Sequence, residues 1–215
     1  MKRVLLINPN SSAETTAMMV AIAQDAMGGE LAVDGATATR APSMIVLARE
    51  LAAAASEVVE IGVAKAAGAA GIIVSAFGDP GLDALRREIA IPAVGICEGS
   101  MLEAAAGGRR FGVATVTPDL AGPIEGRVRA LGLAPLYTGI RLTPGDPRVL
   151  ASNADRLEKA LAAAVADCIH RDGAQAVIIG GGPLGQAAIG LARSFPEPII
   201  APIPAAVRLL RARMH

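Results

Sequence analysis

The sequence predicts an α/β protein with two pseudo-symmetric parallel-sheet lobes and its functional site in the cleft between them. Short apolar runs alternate with helix-like segments along all 215 residues, a pattern typical of parallel sheets. Two of the runs, 71–76 and 176–180, each end in small residues and a proline before a helix begins. Equivalent residues recur at offsets of 105 to 107, which indicates duplication. The alternative is one doubly wound domain whose buried strands merely look alike.

In the first half, the sequence predicts four strands and four helices. Apolar runs place strands at 3–7, 30–37, 71–76 and 91–96. Ser12 is a suitable cap for a helix over 13–27, and an Ala-rich helix is expected over 46–65. A polar helix at 82–88 follows the turn at 78–81, and another Ala-rich helix is expected to end near residue 106 after the segment 97–100.

The second half repeats this order. Strands are expected at 110–115, 135–142, 176–180 and 199–201, and helices at 120–131, 155–170, 183–193 and 205–213, with a turn-rich loop at 143–147. We assign residues 1–97 plus 200–215 to lobe 1 and residues 98–199 to lobe 2.

The offsets also pair individual residues. Offsets of 105 to 107 align these pairs: Arg3 with Arg110, Asn8 with Thr115, Asn10 with Thr117, Ala76 with Gly181, and Pro92 with Pro198. Because the carboxyl ends of parallel strands carry the ligand site, these paired turns are expected to face each other.

Composition excludes several functional classes. Hydrophobic residues make up 53% and the mean hydropathy is +0.48, but no apolar run is long enough to span a membrane or form a signal peptide. Lys and Arg equal Asp and Glu at 20 each, and aromatics are 2%, which disfavours nucleic-acid binding. We expect a cytoplasmic protein with a small-molecule substrate, no membrane or nucleic-acid partner, and, from its Ala-rich helix faces, a homo-oligomer.

Polar and small residues at the strand ends are the candidate substrate-binding groups. They are Asn8, Asn10, Ser12, Ala76, Phe77, Gly78, Thr115, Thr117, Gly181, Gly182 and Pro183. Their amides and hydroxyls suit a carboxylate or an imide oxygen. The alternative is that Asn8, Asn10 and Ser12 only form a turn and a helix cap.

Three residues are candidates for catalysis. Asp79 lies in the turn after strand 71–76, and Glu98 and Cys97 follow strand 91–96. A carboxylate there is placed for acid–base chemistry, yet such residues also serve in turns and caps. Cys97 is either a nucleophile or a small buried hydrophobe. Cys97 and Cys168 have no metal-site spacing, so no metal is expected.

Four motifs of this sequence follow one another in a distinctive order: Ile7-Asn-Pro-Asn-Ser-Ser12, Gly78-Asp-Pro-Gly-Leu82, Pro92-Ala-Val-Gly-Ile96 with Glu98, and Val177-Ile-Ile-Gly180. Through them the chain resembles the aspartate/glutamate/hydantoin racemase superfamily over nearly its whole length, and the hydantoin or allantoin racemase branch in particular. The resemblance implies two lobes, no cofactor, an interface site, and substrate contacts from Asn10, Thr115 and nearby amides.

The resemblance also implies a mechanism that this chain lacks the groups to perform. Racemising members use two cysteines on opposite faces of the substrate, and the matching positions here are Ala76 and Gly181. Three hypotheses follow. The first is a superfamily enzyme with altered chemistry on a hydantoin-like ring or small carboxylate, such as a hydrolase or lyase with Asp79 or Glu98 as the base. The second is a racemase using Glu98 or Cys97, and the third is a non-catalytic sensor.

Overall fold

Two four-stranded parallel sheets form the framework of the computed structural model, which describes residues 3–214. The first sheet has the order β2-β1-β3-β4 and consists of β1 (Arg3–Asn8), β2 (Val33–Thr37), β3 (Ala69–Val74) and β4 (Ala93–Gly95). The second has the order β6-β5-β7-β8 and consists of β5 (Phe111–Thr115), β6 (Tyr137–Leu142), β7 (Ala176–Ile179) and β8 (Ile199–Ile200). The identical order confirms the predicted fold class.

Nine α-helices flank the sheets within residues 3–214. They are α1 (Ala13–Met27), α2 (Ala48–Lys65), α3 (Leu82–Glu88), α4 (Ile96–Ala104), α5 (Ala121–Ala130), α6 (Pro147–Ala151), α7 (Ala154–His170), α8 (Gly185–Leu191) and α9 (Pro202–Met214). Ser12 caps α1 as predicted, because its side chain accepts a hydrogen bond from the backbone N–H of Thr15 at 3.1 Å.

Two backbone hydrogen bonds of the first sheet have equivalents in the second. Ser75 N donates to Ile7 O at 2.8 Å in the first sheet, and Gly180 N donates to Ala114 O at 2.8 Å in the second. The same correspondence holds for the bond from Ala38 N to Asn8 O (2.9 Å) and the bond from Thr143 N to Thr115 O (3.0 Å). The strand ends of the two lobes are therefore equivalent positions.

Alternating side chains divide each sheet between two cores. Val4 and Leu6 of β1 join Val113 and Ile178 of the second sheet in a core shared by both lobes. The intervening residues of β1 face α2 and α3, and the outer face of the second sheet is covered by α7 and α8. Burial on both faces explains why these strands are continuous apolar runs.

The C-terminal helix belongs spatially with the first sheet. Helix α9 contacts α4, β3, β4 and α1, whereas Ile200 belongs to β8 in the second sheet. The assignment of residues 200–215 to lobe 1 is therefore still a prediction. The boundary at residue 97 stays a prediction, because it falls inside α4, which also contacts β7 and α5.

Several predicted bounds were wrong. Residues 97–100 were expected to precede a helix, but α4 begins at Ile96, directly after the short strand β4. Helix α6 was not expected; it begins at Pro147, the last residue of the predicted loop 143–147. Asp146 caps it by accepting a hydrogen bond from Arg148 N at 2.7 Å. Residues 183–193 contain a 3-10 turn followed by a shorter helix α8.

Candidate functional site

A cleft opens where the carboxyl ends of the central strands of both sheets meet. It holds about 550 Å³ of free space, its open mouth included. The lining is mostly apolar and comes from both lobes: Asn10, Met44, Ile45, Leu51, Ser75, Ala76, Phe77, Val116, Thr117, Leu120, Gly180, Gly181, Gly182, Pro183 and Leu184. No residue in this set carries an ionisable side chain.

On the lobe 1 side, a buried network holds Asn10. Asn8 is fully buried, and its side-chain amide donates to Asn10 Oδ1 at 2.7 Å and to Thr16 Oγ1 at 2.9 Å. Ser12 N also donates to Asn10 Oδ1, at 2.9 Å. Asn10 therefore lines the cleft in a fixed orientation, whereas Asn8 and Ser12 stand behind it.

On the lobe 2 side, the equivalent positions are threonines. Thr115 is fully buried behind the lining, and its hydroxyl donates to Gly180 O at 2.6 Å. Thr117 lines the cleft, and its Oγ1 lies 3.2 Å from Thr115 Oγ1. Of these two predicted binding residues, Thr117 lines the cleft and Thr115 does not.

The two turns that the sequence paired both line the cleft. Ala76 and Phe77 follow β3 of the first sheet, and Gly181 to Pro183 follow β7 of the second. Gly182 allows the walls to approach, since a Cβ there would lie 2.8 Å from Met19 Sδ. A Cβ on Gly181 would lie 3.0 Å from Leu184 Cγ, so the leucine occupies the direction that a side chain at position 181 would take.

Asp79 does not line the cleft. Its carboxylate is completely buried, accepts hydrogen bonds from Cys97 N (2.9 Å) and Glu98 N (2.8 Å), and lies 3.2 Å from Arg127 Nε. Burial raises the pKa of Asp79 to about 7, against the opposing effects of Arg127 and the two amides. The contacts favour a structural role, in which Asp79 caps α4 and joins the lobes, over the predicted catalytic role.

Glu98 also lies outside the lining. Its buried carboxylate binds Arg86 Nη2 at 2.5 Å and Arg213 Nη2 at 2.9 Å. Burial raises the pKa of Glu98, but hydrogen bonds from Arg213 and Arg86 outweigh it and lower the pKa overall. A carboxylate held ionised between two guanidinium groups is a poor base, so the predicted catalytic role has no geometric support.

Cys97 is likewise away from the cleft. The thiol is fully buried, with its Sγ 3.9 Å from Met101 Sδ. Burial and the charge of Asp79 raise the pKa of Cys97, so the thiol stays protonated and behaves as a small hydrophobe.

The structure brings seven of the predicted substrate-binding residues into the lining: Asn10, Ala76, Phe77, Thr117, Gly181, Gly182 and Pro183. Asn8, Ser12, Gly78 and Thr115 lie outside it. Eight further lining residues were not among the predicted binding residues: Leu51, Ser75, Val116, Leu120, Gly180, Leu184, Met44 and Ile45. Met44 and Ile45 lie in the irregular segment between β2 and α2. The available signal was an apolar pair just after Pro42 and Ser43, in a segment assigned to no element.

Residues 3–214 contain neither a candidate metal site nor a helix suited to crossing a membrane. No group of three or more His, Cys, Asp and Glu side chains is arranged to hold a metal ion in this part of the chain. None of its helices combines the length and the apolar character that crossing a membrane requires.

Comparison with known proteins gives one consistent result. The family model described as Asp/Glu/Hydantoin racemase matches residues 4–210. A hydantoin racemase from Rhizobium meliloti is 28% identical over 208 residues, which cover 96% of this chain and 86% of the relative. The structure of an allantoin racemase from Klebsiella pneumoniae matches with a TM-score of 0.91 at 24% identity, over 99% of this chain and 87% of that one. An allantoin racemase from Pseudomonas fluorescens also gives a TM-score of 0.91, at 20% identity, over 98% of this chain and 89% of that one.

Proposed function

The chain belongs to the Asp/Glu/hydantoin racemase family, and from this premise we propose that its cleft binds a small cyclic ureide or imide of the hydantoin type. The observation that carries the proposal is the neutrality of the lining. Asn10, Ser75 and Thr117 supply uncharged polar groups, and the other lining residues are apolar or glycine. A neutral ring can be desolvated there, whereas a free carboxylate would lack the cationic partner that its burial requires.

The relatives support an enzyme of the racemase type, but the residues of the cleft limit its chemistry. Racemisation at a carbon needs one group to remove a proton and another to return it on the opposite face. Ala76 and Gly181 stand where the two thiols would be, so we propose that any turnover proceeds without a protein thiol. No step is assigned to Asp79 or Glu98, since both are enclosed by hydrogen-bond partners.

A second candidate is a non-catalytic sensor of such a ring. The lack of an acid–base side chain in the lining favours it specifically. The absence of a cofactor, the cytoplasmic location and the homo-oligomer stay predictions.

Binding is the first test. Calorimetric titration should show that 5-substituted hydantoins or allantoin bind the protein, whereas aspartate and glutamate do not. Preference for the free amino acids would contradict the proposal. Proton NMR in D2O then separates the two candidates: deuterium at C5 of an intact ring identifies a racemase, and binding without exchange identifies a sensor.

Restoring the thiols tests the cleft directly. The variant Ala76→Cys, Gly181→Cys, Leu184→Ala has a thiol at each of the two lining positions, and the leucine side chain no longer occupies the direction of the one at position 181. We expect it to racemise a bound hydantoin faster than wild type, and faster than the same double-cysteine variant with Leu184 retained. The Leu184→Ala single variant controls for the enlarged cleft. No gain in a variant that still binds the ring would show that C5 does not lie between positions 76 and 181.

A further inference from the structure

The two sides of the cleft present opposite hydrogen-bonding groups. On the lobe 1 side, Ser12 N donates to Asn10 Oδ1 at 2.9 Å, and Asn8 Nδ2 donates to the same atom at 2.7 Å. A backbone N–H can only donate, so the bond from Ser12 fixes which end of the Asn10 amide is the oxygen. Within residues 3–214, Asn10 Nδ2 has no hydrogen-bond partner, and it remains as a donor on the cleft side.

The orientation of Asn8 is fixed in the same way. Asn10 N donates to Asn8 Oδ1 at 3.1 Å, so Asn8 Nδ2 must be the end that reaches Asn10 Oδ1. The donor character of Asn10 therefore rests on two backbone N–H groups, whose polarity cannot be reversed.

On the lobe 2 side, a count of hydroxyl protons leaves an acceptor, not a donor, facing the cleft. Thr115 has one hydroxyl proton, and its 2.6 Å contact with Gly180 O uses that proton because a carbonyl oxygen can only accept. In the 3.2 Å contact between the two hydroxyls, Thr117 must then be the donor. The Thr117 hydroxyl has no second proton, so it presents only lone pairs to the cleft.

We propose that this polarity selects and orients the ligand, with Asn10 donating to a ring carbonyl and Thr117 accepting from a ring N–H. The inference rests on the proposed function. A ureide or imide carries both groups, whereas a carboxylate or an ester-like ring would bring an oxygen against the lone pairs of Thr117. Thr117 determines specificity, and Thr115 is a positioning residue that sets its polarity.

The test replaces the ring N–H groups one at a time. The ligands are 5-methylhydantoin, 5-methyloxazolidine-2,4-dione, in which oxygen replaces N1–H, and 3,5-dimethylhydantoin, which lacks N3–H. Wild type should bind one of the two analogues about tenfold or more weakly than the parent, because a buried acceptor is left unpaired. Calorimetry gives the three dissociation constants.

Four variants then locate the effect. Thr117→Val should remove the discrimination, and Thr117→Ser should keep it. Thr115→Val frees the Thr117 proton to point into the cleft, so the oxygen-containing analogue should gain affinity relative to the parent if it is the one that wild type rejects. Thr143→Val is the matched control: this buried threonine lies outside the lining, its hydroxyl has no partner within residues 3–214, and the discrimination should not change.

Two outcomes overturn the inference alone: equal binding of all three rings by wild type, or full discrimination by Thr117→Val. If none of the three rings binds a wild-type protein that unfolds cooperatively, the proposed function fails and the inference fails with it.

Discussion

Replacing Asp79 with alanine should destabilise the fold severely. The carboxylate makes three buried contacts: with Cys97 N, with Glu98 N and with Arg127 Nε. Breaking a buried ion pair from one side costs about 3–5 kcal/mol. Asp79 also has a left-handed backbone (φ 51°), which alanine tolerates less well than aspartate or asparagine. We therefore expect a loss of about 4 kcal/mol from a typical stability of about 5–15 kcal/mol.

Urea unfolding followed by circular dichroism measures this loss. Asp83→Asn is the matched control, because Asp83 pairs with the same Arg127 at 2.9 Å while its own side chain is 63% exposed. That exposed pair is worth less than about 1 kcal/mol. Asp79→Asn keeps the volume and the backbone preference and should fall between the two. If Asp79→Ala costs no more than Asp83→Asn, the carboxylate does not hold the lobes together.

Three further outcomes are expected. The stability of wild type relative to Asp79→Asn should fall as the pH rises from about 4 to about 7 and then level off, because burial raises the folded-state pKa of Asp79 to about 7. Urea unfolding at a series of pH values measures this difference, and a rise in relative stability over the same range would contradict the prediction. Glu98→Gln should lower the free energy of unfolding by about 3 kcal/mol, because it weakens the contacts with Arg86 and Arg213. The dissociation constant of a bound hydantoin should stay within about twofold of wild type, and a large loss of affinity would indicate that Glu98 acts in the cleft after all. Gly95→Ala should lower the free energy of unfolding by more than about 3 kcal/mol, because the new Cβ would lie 2.1 Å from the Asp79 carboxyl. Wild-type stability of this variant in urea would mean that the Asp79 side chain can move aside.

The fold was predictable from sequence because the central strands of both sheets are buried on both faces. Apolar runs and the offsets of 105 to 107 residues led to two equivalent sheets, and the hydrogen bonds of Ser75 and Gly180 match that spacing. Helix α6 was missed because five residues give too little periodicity, and α4 was shifted because β4 ends at Gly95 and the helix begins at Ile96 with no turn between them.

The candidate site was predictable only where strand ends determine it. Asn10, Thr117 and the turn residues follow directly from the carboxyl ends of the strands. Asp79 and Glu98 occupy the same kind of position, but their partners Arg127 and Arg213 come from helices remote in sequence. No local pattern reports such contacts, so sequence alone could not distinguish a structural carboxylate from a catalytic one.

The motifs that carry the family resemblance therefore report on folding more than on reaction. Asn8 and Asp79 accept hydrogen bonds from the backbone N–H groups of Asn10 and Cys97, which would be costly to leave unpaired, so both contribute to folding whether or not the protein turns over a substrate. The thiol positions carry no such constraint: Ala76 is small, and Leu184 fills the direction of a side chain at Gly181. None of residues 76, 181 and 184 takes part in the hydrogen bonds of Asn8 or Asp79, so substitutions at these three positions should leave both buried networks intact.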